Sequence, residues 1–403
     1  MSRSKVSIAA IVLAVIGFAA PSSADVYTIS DLGALGETSA GYAINNLGQV
    51  AGATYPTGCC NASPTVWNGS VPTTLGALPG LESGLAQAIN SSGQIAGYSF
   101  GSSGQVATVW NGTTPTALQY LAGTNLSNGF GINSAGQVAG TSYNGSPNAS
   151  FATLWNGTIP TALGQLPGTT YSSGYAINNV GQVAGSTTTS SNSGVATVWT
   201  GSTPTALALL SGTASSAALG INDVGLVVGA SSAVGGNALA TLWSAGVPTS
   251  LGTLSGGNTS VAFSINNLGQ VVGSSDDGAG NTFATLWNGP TILNLGALQG
   301  GTYSVARGIN DLGQIVGYSQ NASGDVHAVL WTPAPVVGVP LRPSTWPMMM
   351  LAIVTVIFLI YRRRMVARFE LPEDELYASR AGAVDCVGGC CRPRSRRQLG
   401  RLC

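Results

Sequence analysis

The sequence predicts an all-β fold, a seven-bladed β-propeller of four-stranded blades over residues 25–332, with one C-terminal transmembrane helix beyond it. Three observations predict it. One phrase, clearest as Ile265-Asn266-Asn267-Leu268-Gly269-Gln270-Val271-Val272-Gly273, recurs with its isoleucine at 44, 89, 132, 177, 221, 265 and 309, spacings of 45, 43, 45, 44, 44 and 44. Tryptophans keep step at 67, 110, 155, 199, 243, 287 and 331, and leucines at 32, 75, 118, 163, 207, 251 and 295. A fixed period in the low forties with short apolar runs is the mark of a propeller or solenoid array.

Each unit reads as four short strands. The first ends at the isoleucine, and Asn266-Asn267-Leu268-Gly269 suits a type I turn leading into a left-handed residue. Gln270–Gly273 is the second strand and Ala284–Trp287 the third. Asn-Gly, as at Asn68-Gly69 and Asn288-Gly289, marks a tight hairpin. The fourth strand carries a proline near its start, at 72, 115, 160, 204, 248 and 290. Proline cannot donate to a ladder, so this strand is expected at the outer edge and the first strand innermost.

In the first strand, the residues one and three before the isoleucine are small, as in Gly129 and Gly131. The residue two before is usually large: Tyr42, Phe130, Tyr175, Leu219, Phe263. A period of two would give one smooth and one knobbed face, the knobs of one blade filling the smooth face of the next. Gln87 and Arg307 break this pattern.

The array begins on a fourth strand, Val26–Leu35, which aligns with Ile292–Leu298, and ends on a third at Trp331. Closure of the ring by pairing the N-terminal strand with the last, incomplete unit removes a lone end.

Charge narrows the chemistry. Between residues 26 and 332 the only arginine is Arg307, there is no lysine, and His327 is the single histidine of the chain. A nucleophilic triad therefore lacks a base, and glycoside hydrolysis lacks an obvious carboxylate pair. An acidic ring gives no footing for nucleic acid, and no Gly-x-Gly-x-x-Gly stands in a strand-to-helix context. The sequence assigns no catalytic, metal or cofactor-binding residue. Asp276-Asp277-Gly278 departs from a calcium loop and reads as a solvated turn. Cys59-Cys60 reads as loop variation, because adjacent cysteines rarely meet disulfide geometry. Cys386, Cys390 and Cys391 match no metal-site spacing. The seven turn asparagines, starting with Asn45, are explained by each side chain capping its own turn, against the alternative of a glycan-binding face. Arg307 is the one candidate ligand contact. Its alternatives are pairing with Asp311 or pointing into a wet central channel.

Residues 1–24, with Arg3 and Lys5 before an apolar run and Ser22-Ser23-Ala24 after it, read as a signal peptide. Residues 333–342 form a proline-rich linker. Residues 343–361 are uncharged and just long enough to span a membrane as a helix, and Arg362-Arg363-Arg364 puts the 362–403 tail in the cytoplasm. The propeller is then expected outside the cytoplasmic membrane.

The phrase Ile-Asn-x-x-Gly-Gln-Val-Val-Gly, then x-Ala-x-x-Trp, then Leu-Gly-x-Leu resembles the bacterial extracellular HAF repeat family over about residues 26–332. That resemblance implies an exported β-repeat protein with no known chemistry. His327-Ala328-Val329-Leu330-Trp331 comes nearest the triplet that names the family. The segment from Val339-Pro340-Leu341-Arg342-Pro343 through Arg364 resembles a PEP-CTERM-type sorting signal, which implies an exosortase-like enzyme as a partner. The expected function is a non-catalytic, surface-anchored binding, adhesion or interaction scaffold, with a surface glycan or protein as partner. The alternatives are an envelope polysaccharide-active enzyme and a structural matrix component.

Overall fold

The computed structural model describes residues 27–33, 38–56, 61–145, 150–191 and 193–334. The expected signal peptide, Cys59-Cys60, the linker beyond Ala334, the span at 343–361 and the tail lie outside them, and Pro333, expected as the first linker residue, is the last of a strand. Among the described residues no helix is long and apolar enough to cross a membrane.

The described chain forms strands β1 to β28 in seven antiparallel four-stranded sheets. In the first full blade β2 (Thr38–Ile44), β3 (Gln49–Tyr55), β4 (Ser63–Asn68) and β5 (Val71–Thr74) follow one another outward. The next five blades repeat this order. The last contains β26 (Ser304–Ile309), β27 (Ile315–Gln320) and β28 (Val326–Pro333), and its fourth strand is β1 (Tyr27–Asp31) from the opposite end of the chain. The register runs from Tyr27↔Pro333 to Asp31↔Val329. The expected closure therefore holds, and His327 Nδ1 donates to Asp31 Oδ2 at 2.6 Å across the seam.

The hydrophobic core lies between blades, not within them. One cluster joins Ala96, Ala107 and Leu118 to Ile132, Val138 and Trp155 of the following blade. The next joins Ala139, Ala152 and Leu163 to Ile177, Val183 and Trp199. Trp155, Trp199 and Trp243 thus lie over two alanines and a leucine of the neighbour, and in other blades a valine takes the place of one alanine, as Val272 under Trp331. All seven are at most 2% exposed. Five of them, such as Trp155 to Gln119 O at 2.9 Å, also donate their indole N–H to the neighbouring blade. The alanine of the Ala-x-x-Trp phrase is fully buried against the next blade in six of the seven blades, and Pro64 takes its place in the first.

Turn chemistry is nearly as expected. Gly269 has φ 81°, and Gly269 N donates to Asn266 O, which closes the turn after the isoleucine. In the outer hairpin Asn68 is still in the strand and pairs with Val71, so the loop is Gly69-Ser70 with only the glycine at positive φ (63°). That is type II′ chemistry, with glycine in the first loop position. Pro290 falls in this loop and not in the fourth strand, which begins at Thr291. The prolines at 72, 115, 160, 204 and 248 are on outer strands, each opposite its tryptophan, as Trp155↔Pro160.

The alternation expected in the inner strand is corrected. Every inner strand has a bulge at the position two before the isoleucine: Gly41 pairs with Gly52 and Ala43 with Ala51, so Tyr42 is skipped. The same shift occurs in all seven blades. A bulge adds one unpaired residue and resets the period of two. The two small residues therefore face opposite neighbours. A Cβ on Gly129 would stand 2.9 Å from Gly97 O of the preceding blade, and one on Gly131 would stand 3.0 Å from Ala176 Cα of the following blade. The large residues between them are pushed to the ring axis and do not fill the neighbouring blade.

Candidate channel site

The bulges turn one side chain per blade into the central channel. Tyr42, Gln87, Phe130, Tyr175, Leu219, Phe263 and Arg307 form a collar around a chamber of about 520 Å³. Arg307, the sequence candidate, is at this level. Its guanidinium carbon is 4.3 Å from the Phe263 ring centroid and 6.0 Å from that of Tyr42. Cation–π attraction at such distances favours the charged side chain over an aromatic face. Asp311, its expected alternative partner, is engaged elsewhere: it accepts hydrogen bonds from Asn46 and Asn267. No ion pair to Arg307 occurs among the described residues.

The collar aromatics come from four blades, and those of neighbouring blades meet. Phe130 and Tyr175 have centroids 5.8 Å apart, and Tyr98 lies 6.3 Å from Phe130. Tyr42 and Tyr55 share a hydrogen bond of 2.9 Å between hydroxyls. A second cavity, lined by Thr38, Ser39, Tyr42, Tyr55, Arg307 and Tyr318, opens beside Arg307 between the last blade and the first. Burial, and then the neighbouring Tyr55, hold the Tyr42 phenol well above its ordinary range. Burial pushes Tyr98 and Tyr318 up to about 12. These phenols therefore stay neutral and act as hydrogen-bonding groups at every physiological pH.

Below the collar the seven isoleucines narrow the channel, and below them lie the turn asparagines. Their own-turn role is confirmed: Asn266 Oδ1 accepts from Leu268 N at 3.1 Å and from Gln270 N at 2.9 Å. The rest of each side chain does something the single repeat did not reveal. Asn45 Nδ2 donates to Asn90 O, Asn90 to Asn133 O, and so on through Asn266 to Asn310 O; Asn310 Nδ2 returns to Asn45 O at 3.0 Å. The seven amides form a closed belt of hydrogen bonds. All are 3–5% exposed, so the asparagine side chains themselves do not form an open glycan-binding face.

The exposed rim outside the belt comes from the next residue of each turn. Asn267 N donates to Asp311 Oδ1, Asp223 N to Asn267 Oδ1, and Asn179 N to Asp223 Oδ1. This mouth carries the carboxylates of Asp223 and Asp311, each held by asparagine amides. Around it stand Leu47, Val180, Val224, Leu268 and Leu312, all strongly exposed.

A second inter-blade bond also went unread in the sequence. In six blades the residue five before the isoleucine is serine. Its hydroxyl accepts the alanine amide of the preceding blade's third strand, as Ala107 N to Ser127 Oγ at 2.9 Å and Ala328 N to Ser39 Oγ across the seam. The recurring serine was a visible signal; its partner 20 residues upstream was not.

Asp277 behaves as the expected turn. Its carboxylate accepts from Ala279 N, Asn281 N and Asn281 Nδ2, which hold it below the usual carboxylate range, the asparagine side chain most of all. Among the described residues no three His, Cys, Asp or Glu side chains cluster as metal ligands would.

No protein-family model matches the chain, and no curated protein matches it. Solved structures do. The β-propeller domain of the Trilobed protease from Pyrococcus furiosus, described as having an open velcro topology, is similar at a TM-score of 0.50 and 10% identity, over 73% of this chain and 95% of that one. A puromycin-hydrolyzing peptidase of Mycobacterium tuberculosis has a TM-score of 0.44 at 10% identity, over 62% of this chain and 42% of its own length. TolB from Acinetobacter baumannii has 0.40 at 12%, over 74% of this chain and 64% of its own. The match thus spans less than two thirds of the peptidase and of TolB. At such identities the likeness is one of fold alone.

Proposed function

We propose that this chain is a non-catalytic binding propeller, exported and anchored through residues 343–361, whose ligand enters the central channel at the collar. One observation carries the reading. The blades are alike wherever the ring is built, at the tryptophans, the turn asparagines and the isoleucines, and unlike at the collar. Seven positions in one structural place hold tyrosine, glutamine, phenylalanine, leucine and arginine. Packing between blades does not call for that variety, because these side chains face the axis. A chamber with aromatic walls and a few polar groups has the make-up of a small-ligand site. The resemblance to exported HAF repeats and to a PEP-CTERM-type signal agrees with a surface location, with a glycan or protein as partner and an exosortase-like enzyme as processing partner.

The test is a glycan array probed with the full chain in detergent, beside the channel-filling variant Leu219→Trp. Binding by the parent that the variant loses is expected. Undiminished binding by the variant would move the site out of the channel. For location, alkaline phosphatase fused after Leu330 is expected to be active in cells and a fusion after Arg380 inactive. Activity of the second fusion would reverse the orientation.

A further inference from the structure

The collar carries a single charge, and this bears on what it binds. Arg307 is the only lysine or arginine among the described residues, and it stands at a place where the other six blades hold uncharged side chains. The fold does not need a cation there. The guanidinium lies over Phe263 at 4.3 Å and near Tyr42 at 6.0 Å, contacts that need none of its N–H groups. No carboxylate of the described residues meets those groups. The collar is otherwise uncharged, and Asp223 and Asp311 line the mouth beyond the isoleucines. An anion approaching through that mouth is repelled. On the Tyr55 and Tyr318 side a second cavity shares Arg307 and Tyr42 with the chamber, so Arg307 lines both.

Building on the channel reading, we propose that Arg307 binds the carboxylate of an acidic sugar, a uronic acid unit of a glycan. A lone guanidinium matches a planar monoanion with two parallel hydrogen bonds. A phosphate dianion would be left half-compensated, with no second cation in the described ring. An amino acid would bring an ammonium group into a collar that has no carboxylate for it. The remaining walls suit a pyranose: the aromatic rings of Phe130 and Tyr175 for its C–H face, with Gln87 and the neutral Tyr42 phenol for its hydroxyls. A chamber of about 520 Å³ has the size of a small-ligand pocket.

The experiment is calorimetric titration of the full chain in detergent with trigalacturonic acid, its methyl ester and a sulfated galactose trisaccharide. The acid is expected to bind, and the ester to bind about tenfold to a hundredfold more weakly, the loss of one charge-assisted pair. Arg307→Gln is expected to lose the acid by the same factor with an unchanged melting temperature, and Arg307→Lys to recover part of it. Equal binding of acid and ester, unchanged binding by Arg307→Gln, or no binding of the acid at millimolar concentration overturns the proposal. Tighter binding of the sulfated trisaccharide overturns the carboxylate in favour of a sulfate ester. If Arg307→Gln melts early, the ester and Arg307→Lys arms decide alone. Leu219→Trp separates the two levels: a neutral sugar that it blocks and that Arg307→Gln does not keeps the channel site and removes the carboxylate.

Discussion

Within one inner strand and its turn, two positions three residues apart behave in opposite ways. One, just after the isoleucine, is asparagine in all seven blades and joins a closed belt of hydrogen bonds. The other, two before the isoleucine, varies in every chemical respect and points into the channel. The first position is fixed because each side chain must satisfy its own turn and the next blade together. The second is free because a bulge takes it out of both sheet faces. Building the ring and shaping what the ring encloses are thus separate tasks, assigned to residues three apart.

Variants placed on the two sides of this division test it. The largest effect is expected from deleting residues 25–36, which removes β1 and exposes β28 as an unpaired edge. Such edges template aggregation, so the deleted chain should leave the monomer peak on size exclusion. A monomer with unchanged melting would show that the seam does not close the ring. Trp199→Ala, on the building side, should cost about 3–5 kcal/mol in urea unfolding, the range for emptying a buried aromatic site. Asn266 separates capping from linkage. Asn266→Ala leaves buried partners unmade and should cost about 1–3 kcal/mol. Asn266→Asp keeps the acceptor for Leu268 and Gln270 but sets an oxygen against Asn310 O. An equal loss for both variants locates the energy in the amide nitrogen's bonds to Asn310 O and Gln270 Oε1, whereas a neutral Asp variant locates it in the Oδ1 cap. The smallest effect belongs to the collar: Gln87→Ala should shift unfolding by within about 0.5 kcal/mol. A loss near that of Asn266→Ala would erase the distinction.

Much of this was legible in the sequence because each blade is one period of the chain. The tryptophans, the turn glycines, the strand order and the seam at Tyr27–Asp31 follow from counting marks. What could not be read is what joins periods. Asn45 Nδ2 reaches a carbonyl 45 residues away, and Ala107 N finds Ser127 of the next blade. A single repeat shows only half of either bond. The bulge was hidden for a different reason. Small-large-small reads as regular alternation, and only the pairing of Gly41 and Ala43 with consecutive partners shows that Tyr42 is extra. Arg307 stood out because it broke the pattern, but its stacking on Phe263, one repeat earlier, came from the fold.

The seam also decides how the ring responds to tension. The chain leaves the ring along β28, which is bonded on one side to β27 and on the other to β1. A pull at Ala334 along that strand loads both ladders in shear, so their hydrogen bonds must yield together and not one after another. Because β1 is the other end of the same chain, the strand that bears the load is clamped by the first residues of the ring as well as by its last blade.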